Sequence, residues 1–303
     1  MKEPPIIPQQ LRNLMVEIGP RWRDDISGHI RAMLHGFSAI LRDAPKEGVE
    51  VRRGIRYGDD PRQEYDLFLP AGPERDRPAV LFVHGGAFTE GHRNRTDEVY
   101  ANVLYFLARH GVAGVNIGYR LAPQACFPEA TSDIAAVVLA VRDTAPTIGV
   151  DPQRIFLMGH SAGGAHVGSY AFDRSLQPNA GSGLAGLIVV SGRVRVENRP
   201  DNPNSKRVEA YYGTADPALL DRLSPVSHVG PDSIPTFVAW GEFENPLIDV
   251  HCAELVHRLA QAKGRCPPTL WLRGHNHTST IAHINTSEDL LGTALLDFIA
   301  RPR

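Results

Sequence analysis

The chain has 303 residues, 42% of them hydrophobic and 22% charged. This length supports one large core, alone or with a small appended cap. The 32 basic and 34 acidic residues give a net charge of −2, which argues against a nucleic acid or a membrane as an electrostatic partner.

The cysteines and the first residues bear on the cellular compartment. Cys126, Cys252 and Cys266 are scattered and lack C-x-x-C spacing, which favours a reducing compartment over a disulfide framework. The N-terminal sequence MKEPPIIPQQLRNLM shows no secretion signal, and no apolar run is long enough to span a membrane. We therefore expect a soluble cytoplasmic protein.

Residues 8 to about 43 are predicted to be helical and amphipathic, with Pro20 dividing the segment in two. Their apolar positions recur at helical spacing as Leu34, Phe37, Ile40 and Leu41. From this pattern alone two interpretations stay open: a pair of helices docked on the core, or a cap over a functional site.

The strand patterns begin after Gly48. VEVRRGIRY and EYDLFLP alternate apolar and polar residues in the manner of half-buried strands and predict an antiparallel edge. Short apolar runs then follow at 79–84, 112–118, 154–159, 184–191, 235–240 and 269–273. Such runs are typical of strands covered on both faces, and so of a parallel sheet.

Helical patterns separate most of these strands. Apolar residues recur at i, i+3, i+4 and i+7 in 131–143 and in 250–260, and a last helix is predicted from about Ser287, its N-cap. Alternating strands and helices predict a three-layer α/β fold, here a single domain over 1–303. The long segment 192–234, rich in Pro, Asn and Asp, is typical of a lid or binding element.

The sequence GHSAGG at 159–164 follows the apolar run RIFLM and precedes a predicted helix. G-x-S-x-G is a weak pattern by itself, but a strand-to-helix turn strengthens it. Gly159 and Gly163 permit a tight turn that presents Ser161 at a helix N-terminus, where free N–H groups favour negative charge. An ordinary serine N-cap is the alternative, and the context favours a nucleophile.

The sequence HGGAF at 84–88 ends another predicted strand. Acyl transfer forms an oxyanion, which needs hydrogen-bond donors already aimed at it. The backbone N–H groups of Gly85, Gly86 and Ala162 are the predicted donors. A tight turn would also explain Gly-Gly, but the serine motif later in the chain favours an oxyanion hole. We expect His84 to hold the loop rather than to transfer protons.

A serine hydroxyl needs a base to act as a nucleophile. The expected chain order of serine, acid and histidine restricts the base to the region after the last strand. There GHNH (274–277) offers His275 and His277, and His283 lies further on. We select His277. The two histidines could instead mark a metal site, but no acidic or cysteine cluster accompanies them, so we expect neither metal nor cofactor.

The acid is expected after the strand PTFVAW, in the sequence GEFENPLID. Its carboxylate must orient the imidazole and stabilise the charged form of the ring. Glu242, Glu244 and Asp249 are available, and Asp249 also has an N-cap interpretation. We choose Glu244, with Asp249 second.

Together these motifs resemble the α/β-hydrolase superfamily, specifically the hormone-sensitive-lipase-like esterases and the neighbouring kynurenine formamidase-like group. The resemblance covers roughly residues 50–300. It is carried by HGGAF (84–88), YRLAP with FPEA (119–123, 127–130), DPQRIFLMGHSAGGAH (151–166) and GHNH (274–277). It implies an eight-stranded fold, an esterase-type activity, and a cap made by helices within residues 1–45 together with the segment 192–234.

The same resemblance assigns the nucleophile, the oxyanion glycines and the base to Ser161, Gly85, Gly86 and His277. The acid departs from the esterase pattern, which has Asp directly before Pro-Leu, where this chain has Asn245. The formamidase-like pattern places the acid three residues after the glycine, which here is Glu244. Ala87 stands where a third glycine is common.

The leading hypothesis is a serine carboxylesterase that hydrolyses small to medium acyl esters through an acyl-enzyme intermediate. An arylformamidase would use the same residues, and a non-catalytic hydrolase-fold binding protein is the alternative of another class. Dehalogenases and epoxide hydrolases need an acidic nucleophile, which serine at 161 excludes. We expect a small-molecule ester as partner, and a homodimer stays open. The substrate pocket is predicted to include Phe88, Tyr119, His160 and Phe243.

Overall fold

The computed structural model describes residues 2–301. Eight strands form one sheet: β1 (Val49–Arg56), β2 (Glu64–Pro70), β3 (Arg77–Val83), β4 (Ala113–Ile117), β5 (Val150–His160), β6 (Gly186–Val190), β7 (Thr236–Phe243) and β8 (Thr269–Asn276). Their order is β1-β2-β4-β3-β5-β6-β7-β8. Strand β2 runs antiparallel to both neighbours, and every other pair is parallel.

The helices within residues 2–301 cover both faces of this sheet. They are α1 (Gln9–Ile18), α2 (Ile26–Leu41), α3 (Ala101–Arg109), α4 (Glu129–Thr144), α5 (Ala162–Phe172), α6 (Ser205–Tyr212), α7 (Pro217–Leu223), α8 (Ile248–Lys263), α9 (Ser279–Ala282) and α10 (Leu290–Ala300). No helix in this part of the chain combines the length and the apolar character needed to cross a membrane.

Successive side chains of the central strand β3 enter two different cores, because strand side chains alternate between faces. Leu81 and Val83 pack with the apolar residues of α4, α5 and α8. Val80 and Phe82 pack with those of α1, α2, α3 and α10. Both faces are therefore covered, which explains why the parallel strands read as continuous apolar runs.

The start of the last helix differs from the prediction. Helix α10 begins at Leu290, and its N-cap is Asp289, whose side chain accepts a hydrogen bond from the amide of Gly292. The predicted cap, Ser287, lies before the helix, where its own amide donates to the carbonyl of Pro5. Serine and aspartate are both favourable N-cap residues. Asp289 is the cap because the first turn of the helix begins directly after it.

The two segments predicted to form a cap frame the carboxyl ends of the strands. Helices α1 and α2 lie on either side of Pro20, as predicted, and bury Met15, Phe37 and Leu41 in the second core. The segment 192–234 follows β6 and contains α6 and α7. Its function as a cap stays a prediction.

Candidate active site

Ser161 lies in the turn between β5 and α5, with φ 57° and ψ −123°. A positive φ is costly for a residue with a Cβ and is found mainly where a function requires it. The glycines on either side are needed for space. A Cβ on Gly159 would lie 2.5 Å from the carbonyl oxygen of Gly163, and one on Gly163 would lie 2.3 Å from that of Val83. The turn therefore closes only with glycine at both positions.

The structure brings Ser161 together with His277 and Glu244. Nε2 of His277 lies 3.0 Å from Oγ of Ser161. Nδ1 of the same ring lies 2.5 Å from Oε2 of Glu244. With the proton on Nδ1, the ring donates to the carboxylate, and Nε2 is left to accept from the serine hydroxyl. This is the arrangement that a serine nucleophile needs from a base and an acid.

The carboxylate of Glu244 is buried, with 2% of the residue exposed. Oε1 accepts a hydrogen bond of 2.6 Å from the hydroxyl of Ser191 and one of 2.8 Å from the amide of Gly241. A buried charge is tolerated when it is paired and hydrogen-bonded. These two donors leave Oε2 free to face His277.

The other two carboxylates considered for the acid lie elsewhere. Oε2 of Glu242 accepts from the amide of Gly274 at 2.8 Å. Asp249 lies in the first turn of α8 and forms an ion pair of 3.5 Å with Arg23. The geometry thus favours Glu244 over Asp249.

The histidines not selected as base have different surroundings. The ring of His275 lies 4.4 Å from that of His283, and its Nδ1 is 3.2 Å from Oγ of Ser279. His84 has Nδ1 2.7 Å from the carbonyl oxygen of Gly85. Burial lowers the pKa of His84 to about 3, so its ring is neutral near pH 7 and suited to holding the loop.

The loop with Gly85 and Gly86 passes directly over the serine. A Cβ on Gly85 would lie 2.7 Å from Cβ of Ser161. Gly86 has φ +144°, and a Cβ there would lie 1.9 Å from the carbonyl oxygen of Glu90. Together with Ala162 at the start of α5, these glycines line the cavity that contains Ser161. Backbone this close to the serine can present N–H groups to an oxyanion formed there.

The cavity beside Ser161 has a volume of about 430 Å³, which is within the range of small-molecule sites. Helix α2 contributes Ile26, Ile30 and Leu34 to its lining, and the segment 192–234 contributes polar side chains. A larger cavity of about 1030 Å³ lies where β5, β7 and β8 begin. Sites of parallel α/β folds lie at the carboxyl ends of strands, so the smaller cavity is the candidate site.

Of the four predicted pocket residues, only His160 lines the cavity. Its Nε2 lies 3.0 Å from the carbonyl oxygen of His277, and burial holds its pKa well below the usual value, so the ring is neutral. Phe88 stacks on Tyr211 in the core, with ring centroids 5.0 Å apart. We therefore do not retain Phe88 as a binding residue.

Tyr119 and Phe243 are corrected in the same way. The Tyr119 hydroxyl donates to the carbonyl of His84 at 2.8 Å, so the ring supports the glycine loop from behind. The ring of Phe243 packs on Gly19, at the end of α1. Both are aromatic residues near catalytic motifs in sequence, but their strand and loop geometry turns them away from the cavity.

Two residues of this site were missed in the sequence. Ser191 directly follows β6 and bonds the acid, and Arg193 lines the cavity two residues later. The available signal was their position, because β6 is a parallel strand and its carboxyl end must lie at the same edge as Ser161.

Comparisons with known proteins find a matching family model and related sequences. The family model described as BD-FAE matches residues 65–176. The probable isoprenylcysteine alpha-carbonyl methylesterase ICME of Oryza sativa subsp. japonica is 28% identical over 194 residues, 61% of this chain and 45% of that protein. Esterase LipC of Mycobacterium tuberculosis is 26% identical over 242 residues, 75% of this chain and 59% of that protein. The chain thus spans about half the length of these curated relatives.

Solved structures confirm the predicted fold. An inhibited esterase B from Lactobacillus rhamnosis superposes with a TM-score of 0.73 at 21% identity, covering 95% of this chain and 96% of that chain. A bacterial heroin esterase superposes with a TM-score of 0.68 at 24% identity, covering 91% and 92%. The mostly parallel eight-stranded sheet with helices on both faces is the fold predicted from the sequence.

Proposed function

We propose that this chain, an α/β-hydrolase similar in sequence to proteins named esterases, is a serine carboxylesterase acting on small to medium acyl esters. The observation that carries the proposal is the line of contacts from Ser161 through His277 to Glu244, at 3.0 and 2.5 Å. The cavity of about 430 Å³ beside the serine supports a small-molecule substrate.

In the first half of the reaction, Oγ of Ser161 attacks the ester carbonyl carbon while Nε2 of His277 takes its proton. The carboxylate of Glu244 stabilises the imidazolium that forms. The backbone amides of Gly85, Gly86 and Ala162 donate to the oxyanion. The intermediate collapses when the bond to the alcohol oxygen breaks and His277 gives its proton to that oxygen, which leaves an acyl-enzyme.

Water completes the cycle by the same route. Nε2 of His277 removes a proton from the water, whose oxygen attacks the acyl carbon. The bond between that carbon and Oγ of Ser161 then breaks, and His277 returns the proton to the serine. The products are one carboxylic acid and one alcohol, and the enzyme is restored.

The three cysteines, all free, support a reducing compartment such as the cytoplasm.

Amide hydrolysis, as by an arylformamidase, is a second candidate because of where the acid lies. Glu244, three residues after Gly241, contacts His277, and this is the spacing of the formamidase-like pattern. The same proton transfers would serve an N-formyl amide. Turnover of N-formylkynurenine against p-nitrophenyl esters separates the two candidates.

The test is a p-nitrophenyl ester series of increasing acyl length with the wild type and Ser161→Ala. We expect wild-type turnover with an optimum among short and medium chains, and a loss of at least about 10³-fold in kcat for Ser161→Ala. Ser132→Ala, on the exposed face of α4, is the control and should behave as the wild type. Wild-type inactivity on every ester and on the formamide would favour a binding protein, and full activity of Ser161→Ala would remove the serine from the mechanism.

A further inference from the structure

The cavity beside Ser161 carries an excess of positive charge. Its charged lining residues, histidines apart, are four arginines and a single acid: Arg31, Arg95, Arg193, Arg207 and Glu90. The whole chain, in contrast, has slightly more acidic than basic residues, 34 against 32. The excess of positive charge is therefore a local property of this cavity. A neutral ester would not need it.

Arg193 is the most informative of the four because it is buried. Only 3% of the residue is exposed, and its Nη1 is buried with no hydrogen-bond partner among the described residues. Burial lowers the pKa of its guanidinium to about 10, so the group is still charged near pH 7. Leaving a buried cation unpaired is costly, and such groups normally have an anionic partner.

The protein supplies no such partner within residues 2–301. Glu197 lies close enough to favour the charged form of Arg193, but its carboxylate is 2.8 Å from Nε2 of His251 and does not pair with the arginine. The backbone amide of Arg193 donates to the carbonyl oxygen of Ser161 at 2.9 Å. The arginine is thus fixed to the same turn that presents the serine.

The remaining arginines are only partly neutralised. Arg207 forms an ion pair of 2.5 Å with Glu90 at the mouth of the cavity. Arg95 is half-buried and Arg31 is exposed, and neither forms a salt bridge with a described carboxylate. One pair therefore accounts for the only acid of the lining, and Arg31, Arg95 and Arg193 line the cavity without a carboxylate partner among the described residues.

We propose that the natural substrate is an ester that carries a carboxylate, and that Arg193 binds this group while the ester carbonyl lies at Ser161. The inference rests on the proposed esterase function and names the substrate class of that site. A guanidinium is suited to the role because its planar donors match both oxygens of a carboxylate. Arg95 is positioned to attract the same anion from the cavity wall.

The first experiment compares two p-nitrophenyl esters with five acyl carbons, the anionic monoglutarate and the neutral pentanoate. We expect the wild type to prefer the monoglutarate in kcat/KM. Arg193→Met should lower kcat/KM on the monoglutarate by about 10- to 100-fold more than on the pentanoate, since a hydrogen bond to a charged group accounts for that factor. Arg193→Lys should restore part of the preference, and Arg265→Gln, exposed and remote from the cavity, is the control.

A second pair of substrates, 4-acetoxybenzoate and phenyl acetate, places the carboxylate on the alcohol side instead. A preference for the anion in either pair, removed by Arg193→Met, supports the proposal and says which side of the ester carries the charge. No preference in both pairs overturns it. Retained activity on the neutral ester shows that the variant has folded, and Arg95→Gln is the second variant should Arg193→Met fail to fold.

Direct binding separates this inference from the proposed function. Glutarate is titrated calorimetrically into the wild type and Arg193→Met at low and at high salt. We expect binding by the wild type that weakens with salt and is lost in the variant. Were no ester hydrolysed, the esterase proposal would fail, and the glutarate titration would still decide whether Arg193 is an anion site. Equal binding by both proteins would contradict that assignment.

Discussion

The hydroxyl of Ser191, directly after β6, donates a hydrogen bond of 2.6 Å to Oε1 of Glu244, directly after β7. The amide of Gly241 donates to the same oxygen at 2.8 Å. Two donors on one oxygen fix the rotation of the carboxylate, so that Oε2 faces Nδ1 of His277 at 2.5 Å. The orientation of the His277 ring is therefore set by residues from two neighbouring strands of the sheet, β6 and β7.

The first prediction concerns the acid. Glu244→Gln keeps the size of the side chain but removes the charge that stabilises the imidazolium, so we expect kcat to fall by about 10³- to 10⁴-fold. Glu242→Gln and Asp249→Asn are matched controls on the same stretch and should retain most of the activity. Steady-state kinetics on a p-nitrophenyl ester measures all three. A larger loss in Asp249→Asn would make Asp249 the acid.

Ser191→Ala removes one of the two donors to Oε1 of Glu244. The carboxylate keeps its contact with the Gly241 amide, so we expect a partial effect, a fall of about 10-fold in kcat with KM nearly unchanged. Thermal unfolding of the same variant is the companion measurement. A purely structural role would lower the melting temperature and leave kcat as in the wild type.

The glycine loop gives a prediction about backbone space. Gly86→Ala places a Cβ 1.9 Å from the carbonyl oxygen of Glu90, so the loop must shift and take its amides with it. We expect kcat to fall by about 10²- to 10³-fold, as for the loss of an oxyanion donor. Gly111→Ala is the control, because Gly111 also has a positive φ, +82°, but no atom lies within 4 Å of an added Cβ. It should lose stability and keep kcat; equal kinetics in both variants would argue against the oxyanion role.

The strands and the serine turn could be predicted because their signals are local. Strands covered on both faces read as apolar runs, and all six runs became strands of the sheet. The turn at Ser161 needs small residues within two positions on either side, and the sequence shows them directly. Helix ends were less certain, because Ser287 and Asp289 are both good caps and the sequence does not say which one meets the first turn.

The rest of the site depends on contacts that are distant in the chain. Ser191 and Arg193 can be predicted as site residues only when β6 is known to lie between β5 and β7. That strand order places them beside Ser161. Phe88 and Tyr119 were predicted to face the substrate. In the structure the ring of Phe88 packs in the core, and the ring of Tyr119 lies behind the glycine loop. Neither fact is encoded in a short stretch of sequence.

Trp22, between α1 and α2, ties the N-terminal segment to the loop of the acid. Its Nε1 donates to Oδ1 of Asn245 at 2.8 Å, and Asn245 lines the cavity next to Glu244. Trp22→Phe removes the donor and keeps most of the apolar volume, so we expect a loss of about 1 kcal/mol in the free energy of unfolding. KM should rise more than kcat falls, since the loosened side chain lies on the cavity wall and not at the reacting atoms.

Denaturant unfolding and ester kinetics measure the two effects. Trp271→Phe is the matched control, because Trp271 is half exposed on β8 and contributes nothing to the cavity lining. It should change neither KM nor stability appreciably. An unchanged KM in Trp22→Phe would mean that the N-terminal segment does not help to shape the site.

His283 gives a prediction about the pH dependence of stability. Its Nδ1 lies 2.7 Å from the carbonyl oxygen of Ser279, and its Nε2 lies 3.4 Å from the amide nitrogen of Leu291. The ring donates through Nδ1 and accepts through Nε2, which only the neutral form can do. Burial, and next the charge of His275, lower the pKa of His283 to about 3.

In the unfolded chain a histidine has a pKa near 6.5. Between about pH 6.5 and pH 3, unfolded His283 binds a proton that the folded ring excludes, so acid favours unfolding. The contribution of His283 is thus complete above about pH 6.5 and is lost at about 1.4 kcal/mol per pH unit as the pH falls. His283→Gln cannot titrate, and we expect its free energy of unfolding to depend less steeply on pH, by about one proton. Denaturant unfolding of both proteins between pH 7.5 and 4.5 gives the two slopes; parallel slopes would show that His283 is protonated inside the folded protein.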